Sequence, residues 1–402
     1  MRISNVTTQL VSFQASIIDS HVHRGMENSM WNSKEFPTAS LDEFIKTPLD
    51  ISVAGQKQTD NVVKVLVSSI DGLAWSEEQK KRVFAQGKNK YSLKPEEIEF
   101  SKNEYDANLD MIKKFRQDNF YAVMAVCQPS KTDGSADTIR KLVKENPNTI
   151  SGLKFHPQDL ILNANSNLYD DYLNFADEMK LPCLFHSQVN IDYNHRTESP
   201  NLNWADPEYI YELAKRHPDV PVIMGHMGAG GDLAHKKAIR VLEQSIANND
   251  AKLYVDISWV DFSNDLPAEN PQNILDVIEK MKKAGKLDRI LFGTDAPLGC
   301  YGEVETIKRT GLTPKQAYEL TVSRLKSAIK NRFKEEADMI TEKIFYENSN
   351  NLFFSKRVKT ENEIVKHSGK SKIAVAAGTA AGISAIVYGI LAYKRGDNQR
   401  GK

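Results

Sequence analysis

Short runs of apolar and β-branched residues recur along the chain and are separated by longer, more polar segments. Eight such runs lie at residues 17–23, 62–70, 121–129, 150–157, 181–188, 220–228, 252–260 and 289–297. Between most of them, apolar residues recur with helical spacing, at residues 136–145, 169–179, 207–216, 234–247 and 271–284. Nearly all-apolar strands that alternate with helices indicate a parallel sheet covered on both faces. Eight repeats favour a closed barrel, so the predicted fold class is α/β, a (β/α)8 TIM barrel.

Two of the connections are much longer than the others. Residues 25–60 separate the first two predicted strands, and residues 71–119 separate the second from the third. Both follow strand C-termini, where a barrel holds its active site, so we expect functional lids or small subdomains there. Residues 313–354 are predicted to form helices that close the barrel. No GxGxxG follows the first strand, so a dinucleotide-binding sheet has no support.

The chain after residue 355 has a different composition. Residues 356–372 are polar and rich in lysine, residues 373–393 form an uncharged, mostly apolar run, and residues 394–402 are polar. The apolar run has about the length that a helix needs to cross a bilayer. We therefore divide the chain into a barrel (1–355), a basic linker (356–372), a transmembrane helix (373–393) and a short polar tail (394–402). A buried or peripheral Ala-rich helix is the alternative for the apolar run.

The amino-terminal residues MRISNVTTQLVSFQAS lack the features of a signal peptide. The expected location is therefore a membrane, anchored through the C-terminal helix, with the catalytic domain in the cytoplasm. Lys+Arg and Asp+Glu both number 53, so the formal net charge is zero and nothing indicates nucleic acid as a partner. Three distant cysteines without CxxC spacing indicate free thiols in a reducing compartment.

Chemically active side chains gather at the ends of the predicted strands. His21 and His23 end the first strand, and because side chains alternate along a strand, both point to one face. Alone, this pair is equally compatible with hydrogen-bonded structural histidines. Later strand ends carry further candidates, namely Lys154, His156, His186, His226 and Asp295. Such a concentration indicates a divalent-metal site, since imidazole and carboxylate ligands suit Zn²⁺, which lowers the pKa of a bound water.

The motifs at these strand ends, in their order along the chain, resemble the amidohydrolase superfamily. They are IDSHVH, GLKFHP, LFHS, HPDVPVIMGHMGAGG, LYVDIS, ILFGTDAPLG and ENSNNLF, and together they span about residues 15 to 355. The resemblance is to the amidohydrolase-related branch, which includes amino-carboxymuconate-semialdehyde and resorcylate-type decarboxylases. The long insertions and the C-terminal apolar run depart from the family pattern, so substrate specificity does not transfer.

This resemblance implies roles for the strand-end residues. The metal ligands would be His21, His23, His186 and Asp295. In hydrolytic members the carboxylate of the last strand also takes a proton from water, a second role for Asp295. His226 would be a general acid or base, or the ligand of a second metal.

The resemblance implies less for the remaining three candidates. A carboxylated Lys154 would bridge two metals, whereas an unmodified Lys154 would contact a substrate anion or pair with Asp295. We prefer the unmodified form because this branch commonly uses one metal. His156 is expected to line the pocket, and Arg24 follows the HxH pair as a substrate-binding candidate.

Three functions remain open. The leading hypothesis is hydrolysis of a C–N or C–O bond of a small molecule (an amide, cyclic amide or lactone) by metal-activated water, with one Zn²⁺ expected and two possible. The second is non-oxidative decarboxylation of an unsaturated or aromatic acid on the same site, with Arg24 and Lys154 holding the carboxylate. The third is a membrane-tethered scaffold without catalysis, which the complete ligand set disfavours. A homodimer is compatible with the sequence.

Overall fold

The structure, a computed structural model, describes residues 15–25, 40–129, 135–192, 197–198, 202–229, 231–259, 262–263, 266–267, 271–297 and 310–355. Within these ranges, no helix combines the length and apolar character that a membrane crossing requires. The predicted linker (356–372), transmembrane helix (373–393) and polar tail (394–402) lie outside the described residues. The anchor and its membrane location therefore stay predictions.

A parallel barrel of eight strands forms the centre of the domain. The described residues contain thirteen strands, of which these eight are part: β1 (Ser16–Arg24), β2 (Leu49–Val53), β3 (Gln56–Ser69), β4 (Tyr121–Val126), β5 (Ile150–Phe155), β6 (Cys183–Gln188), β7 (Ile191–Asp192), β8 (Thr197–Glu198), β9 (Pro221–Ala229), β10 (Lys252–Asp256), β11 (Phe262–Ser263), β12 (Leu266–Pro267) and β13 (Ile290–Leu291). Two antiparallel pairs, β7-β8 and β11-β12, lie outside the barrel sheet. The sheet order is β1-β3-β4-β5-β6-β9-β10-β13, and each of these neighbours pairs in parallel. Each of the eight overlaps one predicted apolar run: β1 extends past its run by one residue at each end, β9 extends past its run by one residue at the carboxyl end, β3 begins six residues earlier than predicted, and the other five lie within theirs.

The chain closes the barrel directly after β13. Residues 292–296 run beside β1, where Val22 and Ala296 form a parallel bridge. The Ser20 N–H donates to the Phe292 carbonyl at 3.1 Å, and the His23 N–H donates to the Ala296 carbonyl at 2.8 Å. These bonds join the last strand to the first, so the predicted TIM barrel is confirmed.

Helices cover the outside of the barrel. They are α1 (Ser40–Phe44), α2 (Glu77–Ala85), α3 (Glu104–Phe115), α4 (Ser135–Glu145), α5 (Pro157–Leu160), α6 (Asp170–Met179), α7 (Pro207–Arg216), α8 (Asp232–Asn248), α9 (Gln272–Lys283), α10 (Pro314–Phe333), α11 (Ala337–Glu342) and α12 (Asn348–Phe353). Local sequence explains their starts: Asp206 caps α7 by accepting from the Glu208 N–H, and Pro207 occupies the first turn. A π-helix, Lys343–Glu347, joins α11 to α12.

Two apolar layers result from the alternation of side chains along the barrel strands. The larger, outer layer lies between the sheet and the helices. The smaller, inner layer is formed by alternate strand residues together with two residues of α12, namely Ile18, Leu66, Ala122, Met124, Leu184, Ile223, Leu291, Leu352 and Phe353. The closing helices predicted for residues 313–354 therefore contribute Leu352 and Phe353 to the core.

The first long insertion does not form a lid over its whole length. Residues 49–60 form an antiparallel hairpin in which β2 pairs with the first residues of β3, before the parallel part of that strand begins. The hairpin therefore lies at the amino-terminal end of the barrel, opposite the predicted active site. Ala54 and Gly55 form its turn with φ of +50° and +82°, the positive values that a two-residue type I′ turn requires. Residues 26–39 of this insertion lie outside the described part of the chain.

Side chains of α10 cover the free edge of this hairpin. The N–H groups of Asp50, Ser52 and Ala54 donate to side chains of α10, namely Glu319 (2.9 Å), Ser323 (3.1 Å) and Ser327 (3.0 Å). These bonds satisfy backbone donors that an edge strand otherwise leaves unpaired. The hairpin is thus part of the scaffold, and the lid prediction is wrong for residues 49–60.

The second insertion does lie near the carboxyl ends of the barrel strands. It contains α2, α3 and two short 3₁₀ turns, Lys90–Ser92 and Pro95–Glu97. Trp75, Val83 and Ile98 form a small core with Ile161, which directly follows α5. Lys90 pairs with Asp159 of α5. Since α5 comes two residues after β5, these contacts hold the insertion beside the end of that strand.

A buried ion pair joins the hairpin to α10. Lys326 pairs with Asp60, and both side chains are almost completely buried. Burial lowers the pKa of Lys326, and the neighbouring carboxylate of Asp60 opposes that shift. Removal of either partner would therefore leave the other charge buried without compensation.

Lys326→Ala should lower the free energy of unfolding by about 3–5 kcal/mol, because it leaves the Asp60 carboxylate buried without its cation. Urea unfolding followed by circular dichroism measures this change. Lys280→Ala, which breaks an exposed pair with Glu243, is the matched control and should cost less than about 1 kcal/mol. Equal effects of the two substitutions would contradict the structural role of the buried pair.

Candidate metal centre

A β-bulge in β1 directs the HxH pair into the barrel. Between Asp19 and Val22 the pairing of β1 with β3 shifts by one residue. Ile18 belongs to the inner apolar layer, whereas Ile17 and Val22 belong to the outer one. The extra residue thus changes which side chains face inward, a common role of bulges near active sites. His21 can then point into the barrel although it lies an odd number of residues from Ile18.

The Nδ1 atoms of His21 and His23 are each held by a protein oxygen. His21 Nδ1 lies 3.0 Å from Asp256 Oδ2, and His23 Nδ1 lies 3.0 Å from Ser68 Oγ. The opposite nitrogens converge on one atom, since His23 Nε2 is 2.9 Å and His21 Nε2 is 3.3 Å from Asp295 Oδ1. Holding one imidazole nitrogen fixes the ring and directs the other nitrogen, as in metal-binding histidines.

Asp295 is positioned by the barrel closure. Its N–H donates to the His21 carbonyl at 2.7 Å, and its backbone is left-handed, with φ of +59°. Oδ1 is buried and makes no hydrogen bond of suitable geometry to the described residues, despite the two nearby imidazole nitrogens. Burial opposes ionisation of Asp295, but the surrounding histidines outweigh it and hold the pKa of this carboxyl well below its usual range.

Close packing against Gly293 fixes the His21 backbone. A Cβ atom built on this glycine would lie 2.8 Å from the Cβ of His21. Only a residue without a side chain can therefore pass β1 at this point, which explains the glycine two residues before Asp295.

His226 and His186 extend the cluster across the barrel. His226 also has a left-handed backbone, with φ of +59°. Its Nδ1 lies 2.9 Å from Ser258 Oγ, and its Nε2 lies 3.1 Å from His186 Nδ1. One ligand atom each from His21, His226 and Asp295 lies within 4.8 Å of the others, and all three residues are buried. Described residues thus provide a compact group of nitrogen and oxygen donors.

Burial favours the neutral form of His23, His186 and His226. It lowers the pKa of His23 to about 4 and that of His186 to about 4, although the nearby Asp295 carboxylate opposes the shift at His23 and Gln188 opposes it at His186. Burial also lowers the pKa of His226 well below its ordinary value. Neutral imidazoles have a free lone pair, which is the state that binds a metal. We call the side chains of His21, His23, His186, His226 and Asp295 the donor cluster. With the unsatisfied Asp295 Oδ1 among its nitrogen donors, this cluster fits a divalent cation.

Lys154 lies inside the same cluster. Its fully buried Nζ is 2.8 Å from His21 Nε2. Burial lowers the pKa of Lys154 to about 8, and the carboxylates of Asp295 and Asp256 oppose this shift. About half of the amine is therefore neutral near pH 8. The neutral form is available for carboxylation, and the protonated form can contact an anion.

His156 lies beside the cluster and contacts it through a ring. It stacks on His186 with ring centroids 3.9 Å apart and an interplanar angle of 17°. Its Nδ1 accepts from the Asp159 N–H at 3.2 Å and so caps α5. Asp159 is itself paired with Lys90 of the second insertion. His156 thus supports the position of the His186 ring.

The guanidinium of Arg24 contacts a backbone carbonyl and side chains of neighbouring elements. It donates to the His23 carbonyl at 3.1 Å and to Asp42 Oδ1 at 3.0 Å, and it lies over the Tyr121 ring. Its side chain is buried. These contacts connect β1 to α1 and β4, which is a different use from the substrate contact expected from its sequence position.

Several residues support the donors without being obvious in the sequence. Ser68 and Gln188 contact His23 and His186, respectively. Nothing in the local sequence marks Ser68, since it acts on a side chain of another strand. Gln188 lies two residues after His186 in the same strand, β6. Asp256 and Ser258 have a clearer signal, because their two-residue spacing at the end of β10 repeats that of the HxH pair.

Several solved structures are similar to this chain. The solved structures that resemble the chain include a probable 2-pyrone-4,6-dicarboxylic acid hydrolase from Acinetobacter baumannii (15% identity, TM-score 0.45, covering 84% of this chain and 98% of that one). They also include a putative amidohydrolase from Staphylococcus aureus (12%, 0.48, 84% and 99%). A third is 2,6-dihydroxybenzoate decarboxylase from Rhizobium (12%, 0.46, 85% and 98%).

No curated protein matches the sequence. The amidohydrolase family model, in contrast, matches residues 82–354, which is more than half of the chain. This match includes the strands that carry Lys154, His156, His186, His226 and Asp295, while the HxH pair precedes it. The chain therefore belongs to the amidohydrolase family.

Proposed function

We propose that this protein is a metal-dependent hydrolase that uses activated water to cleave a C–N or C–O bond of a small molecule, such as an amide, a cyclic amide or a lactone. The observation that carries the proposal is the buried Asp295 Oδ1, which has no hydrogen bond of suitable geometry and lies within 3.3 Å of two imidazole nitrogens. Membership of the amidohydrolase family supports a metal-dependent enzyme and is compatible with either hydrolysis or decarboxylation.

His21, His23, His186 and Asp295 would hold one Zn²⁺ ion. His226 lies close enough to complete the site or to bind a second ion. The bound cation would supply Lewis acidity and lower the pKa of a water molecule toward neutrality. Asp256 and Ser68 orient the two histidines of β1 through their Nδ1 atoms.

Asp295 accepts the proton of the attacking water in this proposal. Its depressed pKa keeps it ionised at neutral pH. Oδ1 would face the cation, so the other carboxylate oxygen would take the proton. His226, whose ring is neutral at rest, then takes this proton from Asp295 and passes it to the leaving group. Ser258 Oγ lies at its Nδ1, so the ring presents Nε2 toward the centre of the barrel.

Non-oxidative decarboxylation of an unsaturated or aromatic acid is the second candidate. Lys154 favours it, since this buried amine lies at the donor cluster and could bind a carboxylate. Arg24 supports it less, because its guanidinium is paired with Asp42. Of the two cations that the sequence predicted to hold a carboxylate, Lys154 alone is therefore left for this role. For this reason we prefer hydrolysis.

The catalytically inactive scaffold is disfavoured because every predicted ligand is present and buried. A small molecule remains the proposed substrate. The C-terminal membrane anchor, the cytoplasmic position of the catalytic domain and a homodimer remain proposals from the sequence.

Metal analysis of the full-length chain tests the site. We expect about one equivalent of zinc in the unmodified protein and nearly none in His21→Ala, because this change removes a nitrogen that converges on Asp295. His217→Ala is the matched control, since His217 pairs with Asp170 at 2.8 Å, outside the donor cluster, and this variant should retain its metal. Inductively coupled plasma mass spectrometry gives the stoichiometry. Unchanged zinc in His21→Ala would exclude the proposed ligand set.

Asp295→Asn should reduce kcat by about 10²- to 10⁴-fold, the range expected when a proton-transfer group is lost. The amide has nearly the same shape, so the far-ultraviolet circular dichroism spectrum should not change. Steady-state kinetics on the first active amide or lactone provides the measurement. Retention of wild-type kcat would be incompatible with Asp295 as the proton acceptor.

Isotope labelling separates the two reactions. Hydrolysis in H₂¹⁸O should place one ¹⁸O atom in the acid product, whereas decarboxylation in D₂O should release CO₂ and place deuterium at the vacated carbon. Mass spectrometry of products from a panel of lactones, cyclic amides and aromatic acids distinguishes these outcomes. Deuterium incorporation with release of CO₂, in the absence of hydrolysis, would replace our proposal by the second candidate.

A further inference from the structure

Three strand ends beside the donor cluster share an unusual backbone conformation. His226 near the end of β9, Trp259 after β10 and Asp295 after β13 all have left-handed backbones, with φ of +59°, +55° and +59°. Non-glycine residues rarely adopt this conformation, and it is least favourable for bulky side chains. Strained residues of this kind cluster at functional sites. His226 and Asp295 already belong to the proposed machinery, whereas Trp259 has no role in it.

The indole ring of Trp259 contacts the donor cluster directly. Its centroid lies 5.9 Å from that of His226, with the two rings at 82°. Trp259 is nevertheless 38% exposed. A tryptophan that served only to fill the core would be buried, so this ring faces both the histidine and solvent.

The position of the indole is fixed by the residue before it. The Ser258 N–H donates to Asp256 Oδ1 at 2.9 Å, and Ser258 Oγ lies 2.9 Å from His226 Nδ1. Ser258 is buried, and Asp256 also holds His21. The turn that bears Trp259 is therefore bonded to two histidines of the donor cluster. A ring held in this way can discriminate between ligands by shape, since little freedom is lost on binding.

We propose that Trp259 is a specificity-determining residue that forms an aromatic wall of the substrate site and favours a planar, unsaturated ring next to His226. This inference rests on the proposed function, because it places the substrate at the donor cluster. The exposed indole offers its π surface to a flat ring, and such contacts add stabilisation beyond burial of apolar area. A puckered saturated ring cannot approach the indole as closely.

Binding of two acids to the full-length, zinc-loaded chain tests this inference. Benzoate and cyclohexanecarboxylate have the same charge and similar size but differ in planarity. We expect benzoate to bind roughly 3- to 10-fold more tightly in the unmodified protein, a preference of the size expected for one aromatic contact. Trp259→Gly should abolish the preference, and Trp259→Phe should restore part of it. Isothermal titration calorimetry measures both affinities.

Thermal unfolding distinguishes a substrate wall from a structural support. Glycine adopts the left-handed backbone without strain, so Trp259→Gly should leave Tm unchanged or raise it. A clear fall in Tm would instead assign the residue to packing and overturn the inference. Trp204→Phe is the control, since Trp204 stacks on Tyr91 with centroids 5.2 Å apart, and it should keep the preference for benzoate.

The metal content of the same samples separates this inference from the proposed function. Zinc retained in Trp259→Gly with loss of the preference supports both. If the unmodified protein contains zinc but binds the two acids equally, or binds neither, the role of Trp259 is overturned and the proposed function is not. An unmodified protein without zinc removes the proposed function, whereas the comparison of the two acids still decides whether the indole selects planar rings.

Discussion

Closure of the barrel between its first and last strands is the constraint on which the site depends. The Asp295 N–H bonds to the His21 carbonyl, and the His23 N–H bonds to the Ala296 carbonyl. These main-chain bonds bring a carboxylate against two imidazoles that lie more than 270 residues away in the sequence. Gly293 permits the close approach, because any side chain there would collide with His21. The same bonds thus complete the fold and assemble the donors.

Burial then determines the protonation states inside the closed barrel. Removal from water disfavours charge on His23, His186 and Lys154, whose pKa values fall to about 4, 4 and 8. Asp295 is the exception, because the surrounding histidines stabilise its charged form. The pKa of the Asp256 carboxyl beside His21 is also lowered by neighbouring histidines. Buried negative charge of this kind is costly unless a cation is shared among these groups. The electrostatics of the scaffold therefore favour metal binding before any substrate is considered.

The two insertions show how the same sequence feature can serve opposite ends of a barrel. Residues 71–119 lie near the site, where Lys90 pairs with Asp159 of α5 and apolar side chains pack against Ile161, which follows α5. Residues 49–60, in contrast, form a hairpin at the amino-terminal end of β3. Length alone did not distinguish them. The alternation of Leu49, Ile51 and Val53 with polar residues, followed by Ala-Gly, is the local signal of a hairpin. The packing of the hairpin edge against α10 could not be predicted in the same way, because α10 lies far along the chain.

The sequence by itself determined the eight-stranded barrel, because each strand and helix has a local pattern of apolar residues. It also marked the strand-end residues, since the carboxyl ends of parallel strands must meet at one face. Only the tertiary structure decided how those residues are used. Arg24 bonds to Asp42, Ser68 holds His23, and a bulge turns His21 inward. Each of these outcomes depends on contacts between distant segments, whose geometry arises from packing and has no counterpart in local residue patterns.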